Sequence, residues 1–428
     1  MSDQPTPMQP FPRMSAAGLP LSRNWFAIIA FIWAGQAVSM VTSFAAGYAM
    51  VWYVTESTGS AFVLAVMNIC AMLPVGLIAP FGGLVADKHN RKLIMIVADG
   101  VIGLISLVAG FVILAGDISL ALLVAVCIAR AVAQAFHSPA MLAAMPMLVP
   151  DEHLLRINTL DQLLAAVASI GAPAFGIFLY TTLGFSSVLF LDFAGAAVAV
   201  LGLLLAKVPT VVDPAAGGQH VLANLAEGWR AVSKTRGLVL LIGAVTLGMV
   251  IFGPLSALCP LMTFAHFGGD GYAASIGEAA FGIGMLAGSV VLIAWGGGKR
   301  LAGLIAVAAV IVGACTMVCG LLPPDAFPVF VAMMGLMAVA CAWFNGPLMT
   351  LTQRHVPDDK MGRAMGLLTA ATGLAAPVGV AVGGVLAEQM GIAPFFLVDG
   401  VACFLLGLVM YLPKSVRALD CEPAPSAQ

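Results

Sequence analysis

Six ionisable side chains, Asp99, Arg130, His137, Asp192, Glu278 and Asp399, stand inside long apolar runs of a 428-residue chain in which only 9% of residues are charged. Charge in such surroundings costs roughly 2.5–3.5 kcal/mol per group at the centre of a membrane helix, and it marks a function until a partner accounts for it. Glu278 is the preferred proton carrier: a carboxyl group in an apolar wall can take up and release a proton, and in its ionised form it would attract a lipophilic amine. The plain alternative is a carboxylate that caps a helix start. Counting ~1.5 Å per residue from the ends of their runs, Asp99 and Arg130 come level, roughly 10–12 Å from one face of a ~30 Å core. They are expected to pair, as proton-coupling groups or as a static contact between helices. Arg130, Gln134 and His137 fall at i, i+4 and i+7 and form one polar stripe on an apolar helix; Gln36, Ser39 and Ser43 form another. His137 is a third coupling candidate beside the bland reading of a satisfied interior histidine.

The elements that hold these groups follow from hydropathy. Hydrophobic residues make up 61% of the chain and the mean hydropathy is +1.06, far above soluble domains. Twelve apolar runs between Trp25 and Leu412 are each long enough to cross a bilayer, which takes about 20 residues. They must be helices, because lipid offers no partner to an unpaired backbone group and the runs lack the alternation of barrel strands. With the N-terminus on the cytoplasmic side, every one of the 18 Lys and Arg residues except Arg130 falls at that face, as the positive-inside rule requires. An odd number of spans would scatter them. The expectation is a multi-pass protein of the inner (plasma) membrane with both termini cytoplasmic. Its parts would be a disordered tail (1–22), a six-helix bundle (23–208), a linker with an amphipathic helix (209–236), a second bundle (237–414) and a tail (415–428). The eight cysteines imply no disulfide set, and Cys315 and Cys319 lack His or carboxylate neighbours at metal-ligand spacing.

The two halves repeat. "VPDEHLLR" (149–156) returns as "VPDDKMGR" (356–363), an offset of 207. Gly184 and Asp192 in "GFSSVLFLD" return at the same offset as Gly391 and Asp399 in "GIAPFFLVD", and "FHSP" (136–139) answers "FNGP" (344–347) with one residue of slippage. An even number of spans per half makes the copies parallel, the plan of transporters whose bundles rock about a central site. Asp192 and Asp399, each about 9 Å inside the face away from the basic residues, are then expected to play matched structural roles as paired acids bonding nearby loops.

Between the second and third runs lies "GGLVADKHNRK" (82–92). Lys88, Arg91 and Lys92 can anchor the basic boundary, Asp87 can pair with them or cap a helix, and Gly83 lets one helix end approach its neighbours. Together Gly83, Asp87, Lys88, Arg91 and Lys92 form a candidate conformational latch. This loop resembles the signature of the major facilitator superfamily, with Asn90 where the family has Gly, a mild departure because Asn also tolerates left-handed backbone. The second-half loop "WGGGKR" (295–300) lacks the acid. Arg130 with Gln134 resembles the family's R-x-x-x-Q element, and "GAPAFG" (171–176), faintly echoed by "AAPVG" (375–379), partly matches its antiporter element. "WAGQAVSMVTS" (33–43), "TGSAFVLA" (58–65), "AFHSPA" (135–140), "LVPDE" (148–152) and "FGIGMLAG" (281–288) are similar to the macrolide-efflux branch.

The resemblance implies an all-α membrane protein of twelve transmembrane helices in two pseudo-symmetric bundles. It implies that the first and fourth spans of each half line the cavity, which makes Gln36, Ser39, Ser43, Gln134 and Asn345 the substrate-cavity candidates. It implies export of a lipophilic, cationic compound such as a macrolide in exchange for protons. The rival is a carrier of a siderophore or metabolite, moving it out or in. No nucleophile-base set or phosphate-binding Gly-Lys-Ser/Thr loop is present, so the expectation is no enzyme, no cofactor and no ATP drive. The expected partners are a small lipophilic substrate, protons and the bilayer, with no nucleic acid, the chain acting as a monomer. Met249, Met262, Met333, Met334 and Met337 could re-pack around varied ligands but serve as well as core filler.

Overall fold

Where lipid replaces water, a chain can satisfy its backbone only within each segment, and the helices here run accordingly without interruption. The computed structural model describes residues 14–15, 25–116, 119–206, 221–298, 300–356 and 358–420. In chain order the helices are α1 (Trp25–Thr58), α2 (Ala61–Lys88), α3 (Arg91–Leu114), α4 (Leu120–Leu148), α5 (Asp151–Leu183), α6 (Phe185–Leu205), α7 (Val221–Val232), α8 (Arg236–Leu261), α9 (Gly271–Trp295), α10 (Leu301–Leu321), α11 (Phe327–His355), α12 (Asp358–Met390), α13 (Ile392–Met410) and α14 (Lys414–Ala418). Eleven of them are long and apolar enough to cross a membrane, and α5 adds an apolar stretch, Gly171–Leu183. Side chains close the helix starts: Ser60 accepts from Val63 N–H, Asn90 from Leu93 N–H, Ser119 from Leu122 N–H and Asp270 from Ala273 N–H. Asn90 sits in extended backbone with φ −63°, so it replaces Gly in that loop as a cap and not as a left-handed residue.

Two six-helix bundles repeat one packing plan. In the first half α1 packs on α5 and α6, α2 on α4, and α3 on α4 and α6; in the second, α8 packs on α12 and α13, α9 on α11, and α10 on α11 and α13. The halves meet through α2 against α12 and α5 against α9, a pair of contacts exchanged by the same symmetry. Glycines permit the closest approaches. Gly313 and Gly320, seven residues apart on one face of α10, face Gly400 and Leu397 of α13 so tightly that a Cβ would collide with backbone.

Two ends of the molecule differ in charge. One, here the basic end, carries Lys88, Arg91, Lys92, Arg236, Arg300, Arg354 and Lys414; the other, the acidic end, carries Glu56, Asp270, Asp325 and Glu388. At the basic end α7 packs against α12, where Glu227 pairs with Arg363. The final residues are less tail-like than expected: α14 docks on α8, and Asp420 accepts from the backbone N–H groups of Ala302 and Gly303 at 2.8 and 3.2 Å, closing the start of α10. Residues 1–13, 16–24, 207–220 and 421–428, which hold most of the expected tails and linker, lie outside the described residues.

Candidate functional site

The buried charges of the first half form a ladder. α3 and α4 run antiparallel, so residues seven apart on each helix face one another two turns at a time. Nearer the acidic end, Arg130 of α4 pairs with Asp192 of α6. Ser43 Oγ and Ser106 Oγ each donate to that carboxylate at 2.6 Å, and Asp192 is fully buried. Two turns toward the basic end, Asp99 of α3 accepts from Gln36 Nε2 at 2.9 Å and lies 3.3 Å from His137 Nε2.

This corrects the expected Arg130–Asp99 pair. Measured against a thin slab, Arg130 seemed close to the basic face; in fact α4 continues for 29 residues to Leu148, leaving Arg130 about 27 Å from that end. Its guanidinium is therefore level with Ser106 and Asp192, and His137 takes the place beside Asp99. The Gln36 and Ser43 side chains are likewise engaged with α3 and α6 inside the bundle, because each buried carboxylate needs donors. Ser39 is buried. Gln134 is exposed and donates to Ser138 Oγ at 2.8 Å, apart from the Arg130 and His137 contacts. The side chain of Asn345 lies outside the described residues.

The second half keeps the acid and loses its partners. Gly110 against Phe190 matches Gly320 against Leu397, and Gly103 against Phe193 matches Gly313 against Gly400. α3 and α10 thus correspond at an offset of 210 (320 − 110), while α6 and α13 keep 207 (397 − 190). Gly176 against Ala45 matches Gly383 against Pro254, which sets α1 and α8 at 209 (254 − 45). Pro139 and Pro347 set α4 and α11 at 208 (347 − 139). Ser106 then corresponds to Thr316, Asp99 to Ala309, Ser43 to Phe252 and Arg130 to Ala338. Thr316 Oγ1 donates to its own helix at Val312 O, 2.9 Å away. Asp399, 9% exposed, has no hydrogen-bond or ion partner among the described residues. The matched roles expected for Asp192 and Asp399 are therefore not found, and neither acid bonds a loop.

Glu278 lies two turns inside α9, whose start is capped by Asp270, so it is not a cap. It is half-buried and close enough to interact electrostatically with Tyr48 of the first half and Cys259 of α8. The Tyr48 hydroxyl is buried without a hydrogen-bond partner among the described residues. Nothing in the chain pattern had singled out Tyr48; an isolated hydroxyl among the apolar residues of the first run was the available signal.

Around this point the halves are sewn together at the acidic end. Glu388 of α12 accepts from Ser60 Oγ at 3.0 Å and from Phe62 N–H at 3.1 Å, reaching across to the first turn of α2. Thr181 and Tyr272 hydroxyls meet at 3.0 Å, again across the halves, and Tyr180 donates to Glu56 beside them. Among the described residues, the side-chain hydrogen bonds that join the halves all lie at this end. Replacing Glu388 with Ala removes the anion from the α2 start and weakens the seam. The expected outcome is faster labelling, by a membrane-impermeant maleimide, of a cysteine placed at Thr181, relative to the same cysteine with Glu388 intact.

At the basic end the cations cap carbonyls. Arg91 donates to Ala86 O and Ala143 O, and Lys92 to Leu204 O and Ala206 O; the carbonyls of Ala86, Leu204 and Ala206 lie where helix C-termini present unpaired acceptors. These contacts stay within the first half. Lys88 is exposed, and the side chain of Asp87 lies outside the described residues. The glycine that permits close approach is Gly82, packed on the backbone of Ala135 and Phe136; a Cβ on Gly83 would meet nothing within 4 Å.

Comparison with known proteins extends these observations. Residues 15–428 match the family described as transmembrane secretion effector. The chain is 30% identical to macrolide efflux protein A of Streptococcus pyogenes over 400 residues, 93% of this chain and 99% of that one. It is 25% identical to the multidrug efflux pump Tap of Mycobacterium tuberculosis, covering 91% and 92%. Among solved structures, a POT family transporter in complex with a thioalcohol-conjugated peptide superposes with a TM-score of 0.72 at 10% identity, covering 90% of this chain and 96% of that one.

Proposed function

The chain belongs to the transmembrane secretion effector family of major facilitator transporters, and on that footing we propose that it exports lipophilic, cationic drugs such as macrolides in exchange for protons. It is a multi-pass membrane transporter and not an enzyme. The observation that carries proton exchange is the place of Glu278: a carboxyl group on the second half, set where the halves meet, near a buried Tyr48 hydroxyl that has no hydrogen-bond partner among the described residues. A charged carboxylate there is stable only when hydrated or paired, whereas the neutral acid can be enclosed. Taking up a proton on one side and losing it on the other then biases which face of the cavity is open. Asp99 with His137 is the second candidate relay, since the imidazole Nε2 stands 3.3 Å from the carboxylate. Arg130, held by Asp192, serves as a fixed positive charge. The basic end is assigned to the cytoplasm by the positive-inside rule, placing both termini there, and the transporter acts as a monomer with bundles at 23–208 and 237–414. Gln134 and Ser138, exposed on α4, border the path, and the 82–92 loop engages when the basic end closes.

The test uses everted membrane vesicles energised by respiration. Addition of a proton ionophore is expected to stop accumulation of a radiolabelled macrolide at once; accumulation that continues unchanged would refute proton drive.

A further inference from the structure

In the second half, against Ala309, which corresponds to Asp99 of the first half, lies a cavity of about 280 Å³. Its walls are apolar: Met249 and Phe252 of α8, Phe281 and Met285 of α9, Ala309 of α10 and Phe344 of α11. The register derived above explains why space is left. Ala309, which lines it, stands at the position of Asp99, so one large polar side chain is reduced to a methyl group.

One wall leads to a charge. The face of α13 that lines the cavity comprises Cys403, Leu406 and Met410, and one turn earlier on the same face stands Asp399. Its carboxylate is buried, has no partner among the described residues, and lies within electrostatic reach of the Cys403 thiol. An acid kept in apolar surroundings after its cation has been lost is costly unless something supplies the missing charge. Aromatic faces at Phe252, Phe281 and Phe344 would also favour a cation over an anion.

We infer that this cavity is a binding site for a lipophilic cation, whose apolar body lies among these aromatic and methionine side chains while its positive group is drawn to the end of the cavity nearest Asp399 and supplies the counter-charge that Asp192 has in Arg130. The inference rests on the export reading and names the place in the second bundle, and the acid, that would recognise the cargo's charge. It also separates two acids by role: Asp399 recognises the cargo, and Glu278 carries the proton.

The cavity contains its own reporters, since Cys341 and Cys403 line it and are free thiols. Purified protein in lipid nanodiscs is alkylated with a small neutral maleimide, and each cysteine is quantified by mass spectrometry. The probes are tetraphenylphosphonium and tetraphenylborate, ions of matched size and opposite charge. Tetraphenylphosphonium is expected to slow labelling of Cys341 and Cys403 several-fold while leaving Cys127, in the first half, unchanged; tetraphenylborate is expected to leave all three unchanged. The Asp399→Asn protein, its folding checked by normal labelling of Cys127, loses the protection. Equal protection by both ions, no protection by either, or protection that survives Asp399→Asn would overturn the assignment. Labelling is read at equilibrium without any gradient, so a carrier that fails to pump still reports on this site.

Discussion

Glu278→Gln is expected to abolish gradient-driven efflux while leaving drug binding measurable. The amide preserves the shape and polarity of the side chain but can neither gain nor lose a proton, so binding contacts persist and the coupling step is removed. Efflux into everted vesicles should fall to the level seen with an ionophore, whereas the affinity of the purified protein for a macrolide should change little. Counterflow, in which labelled drug exchanges against unlabelled drug without a gradient, should survive, because it needs the rocking motion and not the proton. A Glu278→Gln protein that still concentrates drug would take this residue out of the mechanism.

Arg130→Ala is expected to be the most damaging single change to folding. It strips the cation from Asp192, a fully buried carboxylate that retains only its two serine donors. Removing one member of a buried pair typically costs about 3–5 kcal/mol, because the other charge is left uncompensated. The double variant Arg130→Met with Asp192→Asn, neutral on both sides and close in volume, is expected to recover most of that loss. Thermal unfolding of detergent-purified protein tests both, read by the exposure of buried cysteines such as Cys127. If Arg130→Ala unfolds at the parental temperature, the pair is not a structural strut. If the double variant is no better than the single, the loss comes from missing packing and not from the stranded charge.

Much of the architecture could be read from hydropathy, basic residues and the 207-residue repeat, since these report on chain-local constraints that a bilayer enforces strictly. Depth was harder to read. Ser106 stands seven residues after Asp99 and Arg130 seven before His137, a double spacing that predicts two rungs; a uniform slab thickness hid it by bringing Arg130 toward the wrong rung. The Asp192–Asp399 match was misleading for a different reason. An acid can be retained through duplication while its cation is not: counted from Pro139 and Pro347, Ala338 stands where the first half has Arg130. Neither the cavity nor the Glu388 bridge was legible, because one is enclosed by five helices spread over the second half and the other joins residues 326 and 328 positions apart.

That bridge ties the opening of one face to the integrity of a helix end. The first turn of α2 takes its compensating anion from the opposite bundle, so each time the faces part, the amides of that turn must find water instead. Dissolved cations that bind the freed carboxylate would hold the faces apart, and a dry or crowded exterior would draw them shut. With the basic end in the cytoplasm, as proposed, the outside medium would gain a hand on the pace of the cycle without ever touching the cargo.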